Sequence, residues 1–466
     1  MSEELTRTLA SETVRHVGER VRLQGWIHTR RDHGQLIFLD LRDRSGLVQC
    51  VIAKAAGEAY TTAQTLRSEF VVELEGTVAE RPEKLRNPKL PTGTVELKLE
   101  NVRVLNIAKT TPFEIADETA VGEVPRLTYR YLDLRRAKPR ANIVLRNDIT
   151  TFMRNFLQGE HFLDIETPYL SKGTPEGARE FIVPSRHEAG KFYTLPQSPQ
   201  QFKQLLMVAG LERYYQIVRC FRDEDQRRDR QPEFTQLDIE MSFVDEQDVI
   251  GLSERLCTEL VAAVTPDKHL TFKPFTHLTY AEAMAQYNSD KPDLRKDKTD
   301  RNELAFAIIT DFPMFEYSET EGKLVSTHHL FTAPKDADRE LLDADPAKVH
   351  AKQYDIVLNG YEIASGSIRI HDRDLQHAIF KILKLSDEEI AMRFGHMLSA
   401  FEYGVPPHGG IAFGLDRFVA VLAGEDSIQE VIPFPKTGDA RDLMMGAPSE
   451  LPAKQLADAH IRTEKK

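Results

Sequence analysis

Between residues 20 and 106 one pattern recurs: short runs in which apolar and polar residues alternate, the period of a half-buried strand, separated by turn-forming residues. The runs are VRLQGWI (21–27), LIFLDLRD (36–43), LVQCVI (47–52), FVVELEGTV (70–78) and VELKLENVRVL (95–105), and a helix-compatible stretch at 58–68 lies between the third and fourth. Five strands with a helix at that place predict a small β-barrel of the OB type. Phe70, Val72, Leu74 and Val78 share one phase, whereas the last run changes phase between Leu99 and Val102, which predicts a bulge or a strand end. Pro82, Pro88 and Pro91 punctuate the loop between the last two strands, and TTPFEI (110–115) reads as an exit, so the first domain is expected over 1–110.

The next stretch is basic. RLTYRYLDLRRAKPR (126–140) carries six basic side chains against one acidic, with Tyr129 and Tyr131 interleaved. It suggests a phosphate-contacting hinge or linker over 111–140, although a solvated charged face is the simpler reading of that run alone. Leu145, Ile149, Phe152 and Phe156 then recur at helical spacing up to Gly159, predicting an amphipathic helix over 141–158, and FLDIETPYL reads as a strand. NSDKPDLRKDKTDRN (288–302) is the most linker-like stretch of the second half. Beyond it strands and helices alternate irregularly, which predicts an α+β domain on an antiparallel sheet, the whole second domain spanning 141–466.

Length and composition set outer limits. A chain of 466 residues has room for two or three domains. Cys50, Cys220 and Cys257 are odd in number and far apart, which suits a reducing cytosol and offers neither a disulfide framework nor a CxxC pair. The N-terminus is polar and no apolar run approaches the ~18 residues of a membrane span, so a cytoplasmic protein with no membrane contact is expected. A formal charge of −12 disfavours a chain coated in basic charge for indiscriminate DNA binding.

Chemistry concentrates in 214–244, YYQIVRCFRDEDQRRDRQPEFTQLDIEMSF, where two strand-like runs flank a polar loop. Arg222 ends the first run, and Asp238 and Glu240 share one face of the second, so charges are aimed inward from regular structure. An internal ion-pair network of Arg222 with those acids is the plainest explanation of the hairpin taken alone. Further on, HGGIAFGLDRFVAVL (408–422) places Gly410 and Gly414 before Arg417; glycines admit close backbone approach and arginine pairs with phosphate oxygens.

FLDIETPYL, the 214–244 hairpin and 408–422, in that order, resemble motifs 1, 2 and 3 of class II aminoacyl-tRNA synthetases, and the N-terminal barrel narrows the resemblance to the subclass charging aspartate, asparagine and lysine. Within it, 129–136, TPEGAREF (174–181), LPQSPQQFKQLLM (195–207), FRDEDQRRDRQPEFTQLD (221–238) and PPHGGIAFGLDR (406–417) closely resemble the bacterial-type aspartyl members. Three features differ: the extra domain usual between motifs 2 and 3 is missing, Ala364 and Ser365 stand where glycines are usual, and Thr29 interrupts a run of arginines.

The resemblance implies activation of L-aspartate by ATP and its transfer to the 3′ end of tRNA(Asp), with tRNA(Asn) a second candidate acceptor. It assigns Arg222 to the α-phosphate, Arg417 to the γ-phosphate, Glu224 to adenine or the tRNA terminus, and Gly414 and Asp416 to the ATP site, with adenine between Phe234 and the Arg417 guanidinium. Asp355 and Glu362 would bind Mg²⁺. Arg369 would pair bidentately with the substrate side-chain carboxylate, supported by Lys203, and Asp238 would take the ammonium. Glu176, Ser198, Gln200 and His328 would complete the pocket, with 172–178 a lid, and no zinc is expected. Phe38, Gln49 and Glu96 would read the anticodon, although a buried barrel residue is the simpler account of Phe38. Pro168 would lie at a homodimer interface. The competing expectations are an asparagine or lysine ligase, and a nucleic-acid-binding paralogue without catalysis.

Overall fold

Alternation in the first hundred residues closes into a barrel. Strands β1 (Arg20–Asp32), β2 (Leu36–Asp43), β3 (Gly46–Ala53), β4 (Val71–Glu80) and β5 (Val95–Asn106) pair in the order β1-β2-β3-β5-β4, and β4 returns to β1. Helix α1 (Glu58–Thr65) stands between β3 and β4, as the sequence predicts. Leu23, Ile37, Leu39, Val48, Cys50, Leu74 and Leu97 fill the interior. The phase change in the fifth run is a bulge: Gly76 faces Leu99 but Glu75 faces Asn101, leaving Glu100 as the extra residue, so that Leu99 and Val102 both point inward.

The computed structural model describes residues 5–173, 178–224 and 229–464. They divide into two compact units, Met1–Val121 and Gly122–Lys466. The hinge expected over 111–140 is therefore divided between them, because its basic residues have partners in the second unit. Arg126 donates from both terminal nitrogens to Glu430, at 3.0 and 2.6 Å, and Arg130, 2% exposed, donates to the carbonyls of Gln429, Ile432 and Pro433. These two arginines are internal ties rather than phosphate contacts.

The second unit is built on an eight-stranded sheet. Its strands are β6 (Leu163–Asp164), β7 (Arg213–Phe221), β8 (Glu233–Ser242), β9 (Thr276–Thr279), β10 (Phe306–Thr310), β11 (Gln353–Leu358), β12 (Tyr361–Ile368) and β13 (His408–Gly414), in spatial order β9-β10-β11-β12-β13-β8-β7-β6. The six central strands are antiparallel as expected, with a parallel pairing at each edge. Helices α2 (Ala137–Gly159) and α4 (Glu246–Val264) contribute Ile149, Met153, Leu157, Leu252, Leu256 and Leu260 to the same core as Leu237, Ile239, Ile411 and Phe413; α3 (Gln200–Val208) and α5 (Leu415–Ala423) complete the helices that matter below. FLDIETPYL forms only the two-residue strand β6 plus one further bond, Ile165 N to Tyr215 O at 3.1 Å. The chain then leaves the sheet ahead of Pro168, which has no N–H to continue the ladder.

Candidate active site

Pleating decides which side chains meet. On β8, Leu237, Ile239 and Met241 join the helix-covered core, which turns Gln236, Asp238 and Glu240 to the other face. Their neighbours across β13 are Gly414, Ala412 and Gly410, and across β12 and β11 follow Ser365, Ser367, Gln353 and Asp355. Small residues on the middle strands leave space above them. A Cβ on Gly410 would stand 2.1 Å from Glu240 Oε2, so glycine is required there, whereas one on Gly414 would meet nothing nearer than 3.8 Å. Two adjoining cavities result, of about 500 and 370 Å³, sharing Arg222, Gln236, Ser365 and Ala412.

The larger cavity is lined by Ser198, Gln200, Lys203, Asp238, His328 and Arg369 among others, so most of the residues assigned to the amino acid come together. Glu176 lies outside the described residues, as does most of the proposed lid. Four charges form the wall: Lys203 Nζ is 2.6 Å from Asp238 and 3.3 Å from Glu240, and Arg369 donates from Nε and Nη2 to Glu240 at 2.9 and 3.0 Å. All four are buried, and two cations balance two carboxylates. Burial works against the charge on Glu240, but Arg369 and Lys203 outweigh it and hold its carboxyl down at about 2. Asp238 Oδ2 has no hydrogen-bond partner among the described residues.

This network differs from both sequence-based expectations. The acids of the hairpin pair with Lys203 and Arg369, not with Arg222. The bidentate edge of Arg369 meets Glu240, because a guanidinium so deeply buried needs a resident counter-charge; its remaining nitrogen, Nη1, donates to Ser367 Oγ at 2.6 Å and to His329 Nε2. Burial and the Arg369 charge keep His329 neutral, as that acceptor role requires. Burial also pushes His328 down to about 4; its ring meets Phe312 edge-on at 5.1 Å. Gln200 Nε2 donates to Gln204 at 3.1 Å, and Gln204 donates to His408 Nε2 at 3.1 Å.

Arg222, Glu224, Phe234, Glu362, Gly414, Asp416 and Arg417 line the smaller cavity. The guanidinium over the Phe234 ring belongs to Arg222, 5.0 Å from the centroid, and not to Arg417. Arg417 instead donates to the Glu362 carbonyl at 2.5 Å and to Asp229 at 3.2 Å. Arg230 donates to Glu224 at 3.2 Å. Asp416 is held within the protein: Arg146 donates to one oxygen at 2.5 Å and the Thr235 amide to the other at 2.8 Å, so it ties motif 3 to α2 and β8 at the cavity wall. Asp355 is buried and lines neither cavity; burial and then the Glu362 charge push its carboxyl up to about 8. A bulge that sets Glu362 opposite Val357 brings Glu362 to the Asp355 side of the hairpin. Two crowded carboxylates beside a basic pocket fit a hard divalent cation such as Mg²⁺, which takes few protein carboxylates and completes its shell with phosphate and water.

In the barrel, Phe38 lies on the outer face, half-buried, between the inward Ile37 and Leu39, its ring edge-on to His33 at 5.6 Å. It is therefore not a core residue. Gln49 and Glu96 also face outward, and Gln49 Nε2 donates to Glu96 at 3.0 Å. Pro168 is exposed, at an edge of the catalytic sheet.

Glu240 was visible as an inward acid two residues from Asp238, but His329, Ser367 and Gln353 lacked any signal beyond adjacency to assigned residues. No helix among the described residues is long and apolar enough to cross a membrane, and none of their His, Cys, Asp and Glu side chains form a group of three or more that could hold a metal ion.

Comparison with known proteins places this geometry. The family of class II tRNA synthetases for D, K and N matches residues 122–438, and the OB-fold nucleic acid binding domain matches 21–105. An aspartate–tRNA(Asp/Asn) ligase of Rubrobacter xylanophilus is 43% identical over 98% of this chain and 96% of its own, and an aspartate–tRNA ligase of Lysinibacillus sphaericus is 42% identical over 98% of each. The first alignment runs over 579 positions against 466 residues here, so that relative carries a long segment this chain lacks. The fold is shared with the asparaginyl-tRNA synthetase of Pyrococcus horikoshii, at TM-score 0.75 and 24% identity over 94% of this chain and 99% of that one. It is shared equally with the aspartyl-tRNA synthetase of Entamoeba histolytica, at TM-score 0.73 and 22% identity over 93% and 92%. With a barrel that matches the OB-fold nucleic acid binding domain, and a second unit whose sheet carries motifs 2 and 3 on the cleft and motif 1 at its edge, the chain belongs to the class II aminoacyl-tRNA synthetases of the aspartate, lysine and asparagine group.

Proposed function

We propose that the chain is an aspartate–tRNA ligase that activates L-aspartate with ATP and loads it onto tRNA(Asp). The observation that carries this reading is the buried set Lys203, Asp238, Glu240 and Arg369 along the larger cavity. L-Aspartate brings an ammonium and a side-chain carboxylate. Asp238, with its unpartnered Oδ2, suits the first; Lys203 and the Nη1 end of Arg369 suit the second. Asparagine would offer a neutral amide to donors of Lys203 and Arg369 that suit a carboxylate, and lysine would face them with a like charge. The relatives named for tRNA(Asp/Asn) support tRNA(Asn) as a second acceptor.

The α-carboxylate of aspartate attacks the α-phosphorus of ATP; the new C–O–P bond forms as the bond to the β-phosphate oxygen breaks, and pyrophosphate leaves. The nucleophile is already an anion, so the site supplies alignment and charge rather than a base. Arg222 holds the α-phosphate, Phe234 lies under the adenine once Arg222 turns from its ring, Glu224 contacts the adenine edge, and Arg417 reaches the terminal phosphate. Asp355 and Glu362 would hold Mg²⁺, which would supply neutralisation of the phosphate charge. The 3′-terminal hydroxyl of tRNA then attacks the acyl carbon and AMP leaves. Phe38 stacks an anticodon base while Gln49 and Glu96 read base edges.

A homodimer is part of the proposal. The sheet ends at the two-residue strand β6, and Leu163, Tyr169, Leu170, Ile182, Phe192 and Tyr193 nearby are all more than 40% exposed, an apolar area that a second copy would cover.

Pyrophosphate exchange with aspartate, asparagine and lysine in parallel tests the substrate assignment: exchange with aspartate alone is expected, and asparagine supporting equal exchange overturns it. Charging of tRNA(Asp) and tRNA(Asn) transcripts tests the acceptors.

A further inference from the structure

We propose that Lys291, in the junction between the motif 2 and motif 3 halves of the second unit, is a phosphate-binding residue that holds the terminal phosphates of ATP and then pyrophosphate. The inference rests on the reading of the smaller cavity as the ATP site.

Lys291 lines that cavity together with Glu362 and Arg417. Arg230 is paired with Glu224 and Arg417 with Asp229, whereas the Lys291 ammonium has no ion-pair or hydrogen-bond partner among the described residues. A cation on a pocket wall with no resident carboxylate is available to an anionic ligand.

Its backbone is held in place from both sides. Lys291 N donates to Ser289 Oγ at 3.1 Å, and two residues on, Arg295 grips Asp293 through Nε and Nη2 at 3.0 and 2.8 Å. Asp293 in turn sits against Gly360, in the turn between β11 and β12: a Cβ on Gly360, whose φ is +84°, would be 3.3 Å from that of Asp293. Glu303 accepts from the amides of Lys296 and Asp297 at 2.9 Å each, and Asn359 donates to the Glu303 carbonyl at 2.9 Å. The junction is thus stapled to the hairpin that carries Asp355 and Glu362, and Lys291 is delivered to the pocket by ordered chain. Asp290, its neighbour, lies near enough to Asp355 and His328 for its charge to act on both.

The test is binding by calorimetry at one fixed salt concentration, without amino acid, for wild type, Lys291→Ala and Lys291→Arg. The alanine variant should weaken ATP and pyrophosphate about tenfold, the loss of one partly solvated charge contact, and leave AMP within about twofold. The arginine variant should recover most of the ATP affinity. In aspartate-dependent exchange the alanine variant should raise KM for ATP but not KM for aspartate. An ATP affinity within twofold of wild type, or an equal loss for AMP, overturns the proposal, as does an arginine variant as weak as alanine. Wild type that binds ATP but exchanges only with another amino acid would overturn the aspartate assignment and leave this result intact.

Discussion

The two halves of the cleft solve the problem of charge in opposite ways. In the half proposed for the amino acid, Lys203, Asp238, Glu240 and Arg369 are buried and matched by one another, so this wall is in place before any ligand arrives. In the nucleotide half the cations are partly exposed and rest on provisional partners: Arg222 on an aromatic face, Arg417 on a backbone carbonyl and a loop aspartate. The first arrangement favours discrimination, since a fixed set of buried donors and acceptors cannot turn to suit a wrong side chain; the second suits a flexible polyanion, which must displace those partners.

The sharpest way to break the contrast is Arg369→Leu, which leaves Glu240 buried without its partner. Aspartate-dependent exchange should fall by about a thousandfold or more, and the melting temperature should drop as well. Pairing it with Glu240→Gln restores stability but not aspartate use; recovery of both would mean that Arg369 serves only the fold. Arg222→Ala comes next. Exchange should fall by about a hundred- to a thousandfold with the melting temperature unchanged, because that arginine rests on an aromatic ring rather than on a core acid and is proposed to hold the α-phosphate. Equal thermal losses for the two arginine variants would erase the distinction between the halves.

Phe38→Ala moves the test to the barrel. Losing one base–aromatic stack costs about 1–3 kcal/mol, so aminoacylation efficiency should fall about ten- to a hundredfold while tRNA-independent exchange stays near wild type. A loss of exchange at unchanged stability would remove the anticodon role. The smallest expected effect concerns protons. Burial first holds His408 down at about 4, against an ordinary 6.5. The unfolded chain therefore binds a proton that the folded one does not, and this contribution to stability is lost as pH falls from 6.5 towards 4. His408→Leu should lose less of its urea midpoint than wild type on going from about pH 7 to about pH 5; identical slopes would refute the neutral, Gln204-bound histidine.

Legibility of the sequence tracked the range of the physics. Period-two alternation is local, so the five barrel strands, α1 and even the bulge at Glu100 could be read along the chain. Parity likewise put Asp238 and Glu240 on one face. Their partners could not be read, since Arg369 is 129 residues from Glu240 and a carboxylate carries no mark of which cation it will meet. Arg126 and Arg130 looked like a phosphate-seeking run for the same reason: composition shows six basic side chains but not the Glu430 and the carbonyls that occupy two of them. For Phe38 two cues in the sequence disagreed. Its phase beside Ile37 and Leu39 already placed it outside, and barrel statistics were a poorer guide than that alternation.

Gly410 ties substrate choice to backbone spacing in a way that matters for redesign. A Cβ at position 410 would stand 2.1 Å from both the Glu240 carboxylate and the Ile239 backbone carbonyl, so a library that varies position 410 should yield few folded members whatever stands at 240, and one that shortens position 240 alone should yield variants with a stranded Arg369. Altered amino-acid specificity in this scaffold should be reached with glycine kept at 410 and positions 240 and 369 changed together, so the route to a new substrate runs through double variants whose single-step intermediates are each defective.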